Sequence, residues 1–192
     1  MTKIKQKTEI LAIGAILTAL VIILQLMGTF IRFGPFAISL VLIPIVIGAA
    51  ISDYKIGAWL GFAFGVAVLL SGDAAAFWVI HPVGTVVTVL LKGTLCGLAA
   101  GLVYKLFSKW NKYVAVIAAA IVCPVVNTGV FLLGCKLFFI ETITSWGVEA
   151  GFANATQYMF LGLAGGNFLV ELGVNIVLSP VIFRIISAIR HK

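Results

Sequence analysis

Long runs of apolar residues, separated by short polar segments, dominate the sequence. Six runs are long enough, or nearly so, for a helix of about 20 residues that crosses the hydrocarbon of a bilayer. They cover residues 9–28, 36–51, 56–70, 83–107, 113–139 and 158–186. Only residues 52–55 separate the short second and third runs, so we expect a tight helical hairpin there. The pattern predicts an all-α integral membrane protein with six transmembrane helices in a single domain, residues 1–192.

The basic residues of the polar segments predict the orientation, because loops rich in Lys and Arg stay on the cytoplasmic side. With the N-terminus inside, ten Lys and Arg residues lie in cytoplasmic segments, and Arg32 is the one basic residue in an outer loop. Both termini are therefore predicted to be cytoplasmic. The outer loops are residues 29–35, 71–82 and 141–157, and they carry many of the polar and aromatic groups.

Composition excludes the soluble classes of protein. Hydrophobic residues make up 62% of the chain and charged residues 10%, against roughly 45–50% and about 25% in soluble domains. A soluble domain of this size leaves roughly a third of its unfolded surface in water and could not hide so many apolar side chains. The net charge of +7 reflects the basic loops, so it indicates topology and not a nucleic-acid surface.

The sequence also lacks the motifs of common enzymes. It contains no P-loop, no G-x-S-x-G, no H-E-x-x-H and no C-x-x-C. The three cysteines, Cys96, Cys123 and Cys135, lie in apolar runs without paired spacing, which predicts small core residues and neither a metal site nor a disulfide framework. We expect no cofactor. We therefore expect a binding or transport subunit that is not itself an enzyme.

Two rows of glycine predict close helix packing. The third run has glycine at positions 57, 61 and 65, and the fourth has it at 93, 97 and 101. This spacing places each row on one helix face, where small residues let two backbones approach. Packing within one chain is the simpler interpretation, and homodimerisation is the alternative.

Ionisable residues inside apolar runs are costly and indicate function by default. Lys92 lies deep in the fourth run, where it either pairs with Glu171 of the sixth run or faces a cavity and meets an anionic ligand. Lys136 lies one turn from the outer end of the fifth run and either reaches the interface or binds a carboxylate. Arg32 either binds a ligand or anchors the first helix at the lipid headgroups.

Neutral polar residues extend this set of candidates. Asn127 follows Pro124, which frees a backbone carbonyl that a neighbouring amide can satisfy. Asn167, Glu171 and Asn175 share one helix face, where they either bond neighbouring helices or line a cavity. Asp73 and Trp78 lie in the second outer loop, and an aromatic belt at the interface explains Trp78 as well as ligand stacking does.

Several short stretches together resemble one family. They are the small-residue stretch from Ala15 to Ala19, the Ile-Pro-Ile-Val-Ile-Gly-Ala run from Ile43, Pro82-x-Gly84, and Lys92-Gly93. With six spans and cytoplasmic ends, the chain resembles the substrate-binding S component of energy-coupling factor (ECF) vitamin transporters over nearly its whole length.

The resemblance implies a vitamin-binding membrane protein, by implication in a bacterial plasma membrane, that joins a transmembrane coupling subunit and two ATPase subunits. It implies that Ala15 and Ala19 dock the coupling subunit, and that the outer loops and outer helix ends form the ligand pocket. The candidate substrate-binding residues are Arg32, Phe36, Asp73, Trp78, Lys92, Asn127, Lys136, Asn167 and Glu171.

The candidate cations Arg32, Lys92 and Lys136 favour an anionic vitamin such as pantothenate, whose amide and hydroxyl groups suit Asn and Gln partners. Riboflavin is the alternative, because Phe36 and Trp78 are among the aromatic residues available for stacking. The alternative class of protein is a stand-alone secondary transporter or channel. Such a transporter needs matching broken helices in two inverted halves, and the sequence shows no such match.

Overall fold

The computed structural model describes residues 3–28, 32–33, 36–37 and 40–190, without the side chains of residues 3–7, 9, 32, 33, 36, 37 and 190. The helices in chain order are α1 (Lys3–Gly28), α2 (Leu42–Ile51), α3 (Tyr54–Ser71), α4 (Ala75–Ile80), α5 (Pro82–Phe107), α6 (Lys112–Phe138), α7 (Ile140–Glu149), α8 (Ala155–Gln157), a π-helix (Tyr158–Gly165) and α9 (Gly166–Arg190). Two short strands, β1 (Arg32–Phe33) and β2 (Phe36–Ala37), pair antiparallel between α1 and α2.

The predicted all-α membrane architecture is confirmed. Among the described residues, five helical segments are long and apolar enough to cross a bilayer: Ile10–Gly28, Tyr54–Ser71, Pro82–Phe107, Lys112–Phe138 and Ala155–Ile189. The last of them joins α8, the π-helix and α9. The sixth apolar helix is the shorter α2.

The second predicted span is wrong in its extent. Residues 36–51 were expected to be one helix, but α2 covers only 10 residues and is about 15 Å long at 1.5 Å per residue. Pro44 lies in its first turn and has no N–H to bond a carbonyl four residues earlier, so the helix begins just before this proline. The preceding Phe36–Ala37 instead pairs with Arg32–Phe33.

Helix α2 lies at the centre of the bundle. It contacts α1, α3, α5, α6 and α9, and most of its residues are buried, including Leu42, Ile45 and Val46 at 0% exposure. A helix that is apolar on all sides is stable only when it is surrounded. Here its neighbours are helices and not lipid.

The two glycine rows face each other between α3 and α5. A Cβ added at Gly61 would overlap the carbonyl oxygen of Gly93, and one at Gly97 would overlap that of Gly57. The helices therefore run antiparallel with their backbones in contact. The structure uses both rows for packing within one chain, as the simpler interpretation of the sequence predicted.

The predicted outer loops contain helices that the sequence pattern did not indicate. Helix α4 lies within residues 71–82, α8 lies within residues 141–157, and α7 begins one residue before that loop. Phe77 of α4 is buried, with its ring centroid 5.0 Å from that of Phe139 and 5.7 Å from that of Trp146. These loops thus form a second apolar cluster above the main core.

We predict that Gly61→Ala lowers the free energy of unfolding by about 1–3 kcal/mol, the usual cost of inserting a methyl group into closely packed structure. The added methyl would overlap the carbonyl oxygen of Gly93, which is backbone and has little room to move. The unfolding midpoint of the purified protein in detergent measures the effect.

Gly173→Ala in α9 is the matched control, because a Cβ at this position meets nothing within 4 Å. This variant is expected to keep its stability or to gain up to about 1 kcal/mol from helix propensity. Equal midpoints for the two alanine variants would contradict the contact between α3 and α5.

Candidate functional site

A cavity lies in the half of the bundle that carries the outer loops, between the main core and the outer apolar cluster. It encloses about 870 Å³ of space free of protein atoms, its open mouth included. Its polar lining residues are Gln25, Asp73, Thr85, Thr88, Lys92, Asn127, Thr128, Asn167 and Glu171. Its aromatic lining residues are Phe64, Phe77, Phe131, Phe139 and Phe168.

Lys92 brings a positive charge into this cavity. Its Nζ lies 5.6 Å from the ring centroid of Phe64 on α3 and 5.4 Å from that of Phe131 on α6. Both distances allow a cation–π attraction, which offsets part of the cost of removing the ammonium from water. Lys92 follows Thr85 and Thr88 along one face of α5, and all three line the cavity.

Asp73 lies at the α1 side of the cavity in a hydrogen-bonded cluster. The buried Gln25 of α1 donates from Nε2 to Asp73 Oδ2 at 2.5 Å, and the Ser71 hydroxyl lies 3.3 Å from the same oxygen. Gly72, between Ser71 and Asp73, has φ +82°, a conformation that glycine adopts without strain and that ends α3. The cluster thus ties the end of α1 to the turn after α3.

The predicted polar face of α9 serves two purposes. Asn167 and Glu171 line the cavity, and Asn167 Nδ2 lies 3.4 Å from Glu171 Oε1. Asn175, one turn further, is buried and donates from Nδ2 to the carbonyl of Glu171 at 2.8 Å. The upper part of the face therefore meets the cavity. Lower down, Asn175 bonds its own helix through Nδ2, while its Oδ1 has no hydrogen-bond partner in the described part of the chain.

Ser179 continues this face and compensates for a proline. Pro180 has no N–H for the carbonyl of Ile176, and the Ser179 hydroxyl donates to that carbonyl at 2.7 Å. Helix α9 therefore continues through Pro180 to Arg190.

Thr88 Oγ1 and Asn127 Oδ1 in the lining are buried and have no hydrogen-bond partner in the described part of the chain. One interpretation of the sequence was that the Asn127 amide satisfies a backbone carbonyl freed by Pro124. The side-chain oxygen Oδ1 of Asn127 has no partner of its own in the described part of the chain. Unpaired buried polar atoms cost roughly 1–3 kcal/mol each.

The structure brings together five of the nine predicted substrate-binding residues: Asp73, Lys92, Asn127, Asn167 and Glu171 line one cavity. Trp78 and Lys136 are exposed and lie outside the lining. The side chains of Arg32 and Phe36 lie outside the described residues. Ala15 and Ala19 lie on the exposed face of α1.

Sequence reasoning missed part of the lining, notably Gln25, Thr88 and the phenylalanines. The spacing of Thr85, Thr88 and Lys92 along one face of α5 was a readable signal, since three polar side chains on an apolar helix face protein or water. The positions of the phenylalanines do not predict that they line a cavity, because an apolar side chain is equally stable in the protein core, on a cavity wall or in lipid.

The charge of the lining differs from the expected excess of cations. In the described part of the cavity, one ammonium, that of Lys92, faces two carboxylates, those of Asp73 and Glu171. Affinity for an anion would therefore depend on Lys92. No group of three or more His, Cys, Asp or Glu side chains among the described residues is placed to hold a metal ion.

Comparison with known proteins gives one match. The sequence model of a family described as ECF transporter, substrate-specific component, matches residues 10–183, nearly the whole chain. Neither a curated protein nor a solved structure matches the chain.

We predict that Gln25→Met lowers the free energy of unfolding by about 1–3 kcal/mol, because the near-isosteric side chain removes a donor and leaves the Asp73 carboxylate short of a hydrogen bond. Thermal unfolding of the purified protein measures the loss. Lys136→Met is the control, because Lys136 is exposed near the end of α6 and surface substitutions usually stay within about 0.5 kcal/mol. A loss no larger than that of the control would show that the Gln25 cluster contributes little to stability.

Proposed function

The chain belongs to the family of ECF transporter substrate-specific components, and from that premise we propose that the outer cavity captures a vitamin for import. The protein is then the binding subunit of a multi-pass membrane transporter. It passes its ligand to a transmembrane coupling subunit, and two separate ATPase subunits supply the energy. This division of roles agrees with a chain that has no nucleotide-binding motif.

The observation that carries the proposal is the cavity itself. Its lining combines five phenylalanine rings with one ammonium, two carboxylates, two amide side chains besides Gln25, and three hydroxyls. Apolar walls with a few convergent polar groups are typical of sites for small organic ligands. Such groups inside a bilayer are costly unless a ligand uses them.

Pantothenate is the ligand we propose first. Its carboxylate suits the Lys92 ammonium, its amide and hydroxyl groups suit Thr88 and Asn127, and its methyl groups suit the phenylalanine walls. The amide groups of Gln25 and Asn167 beside Asp73 and Glu171 reduce the repulsion that these carboxylates exert on a carboxylate ligand.

Riboflavin is the second candidate, favoured by a specific observation. The five phenylalanine rings in the lining are suited to stacking against a flat ring system. Riboflavin needs no cation, so it would leave the Lys92 ammonium to Glu171 and to the two aromatic rings near it.

The exposed strip on α1 supports the proposed docking of the coupling subunit. Ala15 and Ala19 are one turn apart on a face that also exposes Leu11 and Ile16. Two small side chains flanked by larger apolar ones form a shallow groove in which another helix can pack.

Calorimetric titration of the purified subunit with a panel of vitamins tests the proposed ligand without requiring transport. Tight binding of pantothenate supports the proposal. Retention of a yellow flavin through purification, with no heat from pantothenate, would replace pantothenate by riboflavin and leave the role as a binding subunit intact.

We predict that Lys92→Met weakens pantothenate binding by about 10- to 150-fold. The estimate corresponds to loss of a charge-assisted hydrogen bond of roughly 1.5–3 kcal/mol, at about 1.4 kcal/mol per tenfold change in the dissociation constant. Lys92→Arg, which keeps the charge, is expected to retain part of the affinity.

Lys136→Met is the matched control for this prediction. Lys136 is exposed and outside the cavity lining, so its loss is expected to change the affinity less than twofold. Equal effects of the two methionine variants would contradict a specific contact between Lys92 and the ligand.

We predict that Ala15→Leu together with Ala19→Leu abolishes assembly with the coupling subunit, because the added bulk fills the groove on α1. Affinity for the vitamin in the solitary subunit should stay within about twofold. Co-purification with the coupling and ATPase subunits measures assembly, and calorimetry measures ligand binding. If both properties are lost together, the strip supports the internal fold and not a docking surface.

A further inference from the structure

We propose that Thr88 and Asn127 are ligand-binding residues that the empty protein keeps unpaired, and that with Lys92 they recognise an elongated molecule with hydrogen-bonding groups along its length. The inference rests on the proposed function, because it concerns the same cavity. It adds the reason why Thr88 and Asn127 bind the ligand, and a ligand shape that pantothenate fits and a compact polar molecule does not.

The first step is the state of the two side chains. Thr88 is 4% exposed and Asn127 is 6% exposed, and their Oγ1 and Oδ1 atoms have no partner in the described part of the chain. Thr85, on the same wall, shows the ordinary arrangement, since its hydroxyl donates to the carbonyl of His81 at 3.1 Å. Buried polar atoms in native proteins are nearly always paired. Asn175 Oδ1 also has no partner in the described part of the chain but lies outside the lining, whereas Thr88 and Asn127 line a cavity that a ligand can enter.

The second step is that packing holds Thr88 in place. A Cβ added at Gly134 of α6 would overlap the Thr88 side chain, so this threonine fills the notch left by a glycine. The close fit fixes the side chain between α5 and α6, where it lines the cavity.

The third step is the order of the groups along the seam between α5 and α6. Thr88 contacts Gly134, and one turn deeper Lys92 contacts Phe131. Asn127 lies a further turn along α6, seven residues from Gly134, which is about 10 Å at 1.5 Å per residue. Three hydrogen-bonding positions are therefore spread over about 10 Å of depth.

The chemistry of the three positions defines the ligand class. Lys92 donates, Asn127 Oδ1 accepts, and the Thr88 hydroxyl does either. A matching ligand carries an acceptor oxygen, such as that of a carboxylate, for Lys92, an N–H or O–H donor for Asn127 at the deep end, and a hydroxyl or amide for Thr88. Flexible polar chains about 10 Å long have this form.

The experiment uses Thr88→Val and Asn127→Leu, in which apolar side chains of similar size replace the unpaired groups. Removing an unpaired buried polar atom removes its desolvation cost. Each variant, free of ligand, should therefore unfold about 2–4 °C higher than the parent protein. Thr94→Val is the matched control, because the Thr94 hydroxyl already donates to the carbonyl of Leu90 at 2.7 Å and lies outside the lining. Its midpoint should not rise.

The second measurement titrates the same proteins with pantothenate and with riboflavin. Thr88→Val and Asn127→Leu should each weaken pantothenate binding about 2- to 10-fold, the value of a neutral hydrogen bond, and Thr94→Val should leave it unchanged. Higher stability together with weaker binding supports the inference, since a purely structural role would move both in the same direction.

Midpoints that fall or stay unchanged in both lining variants would overturn the inference, because the two groups would then be satisfied in the empty protein. Unchanged pantothenate affinity in both variants would overturn it as well. If neither vitamin binds the parent protein, the proposed ligand is wrong, and the ligand-free midpoints still decide whether the two groups are held unpaired.

Discussion

The contact between the backbones of α3 and α5 is the constraint on which the rest of the structure depends. Gly61 and Gly93 leave no room for a Cβ on either helix, so the two helices lie as close as backbones allow. In a bilayer, apolar side chains gain nothing by leaving lipid for protein, and close packing replaces the hydrophobic effect as the source of helix association. The seam provides a rigid pair of helices against which α2 and α6 pack.

The cavity follows from where this seam ends. Toward the outer side, glycine gives way to larger residues, with Phe64 and Val68 on α3 and Val89 on α5. The apolar cluster around Phe77 closes the space from above. Between the two clusters the helices leave a volume that apolar side chains do not fill, and Lys92, one residue before Gly93 of the seam, lines this volume.

The polar groups of the cavity differ in how many of their hydrogen bonds the protein itself satisfies. This difference indicates which groups are available to a ligand. Asp73 and Glu171 have donors within the protein, which lowers the cost of keeping carboxylates at that depth. Lys92 relies on two aromatic rings. Thr88 and Asn127 have no partner in the described part of the chain, so stability is given up where a ligand is expected to gain affinity.

The sequence by itself determined the membrane architecture, the positions of the long helices and the use of both glycine rows. Hydropathy and residue spacing are local properties of the chain, and they decide which segments can cross a bilayer and which helix faces can pack closely. It also indicated five polar residues of the cavity, since a polar side chain inside an apolar run must face protein or water. Tertiary structure alone decided that the outer loops fold into α4 and α7. It alone decided that Lys92 lines the cavity and Lys136 does not, and that Gln25, Thr88 and five phenylalanines complete the lining. These outcomes depend on which helix faces meet in the folded protein. The position of an apolar residue, or of a single polar one, in the sequence does not indicate which residues it will contact.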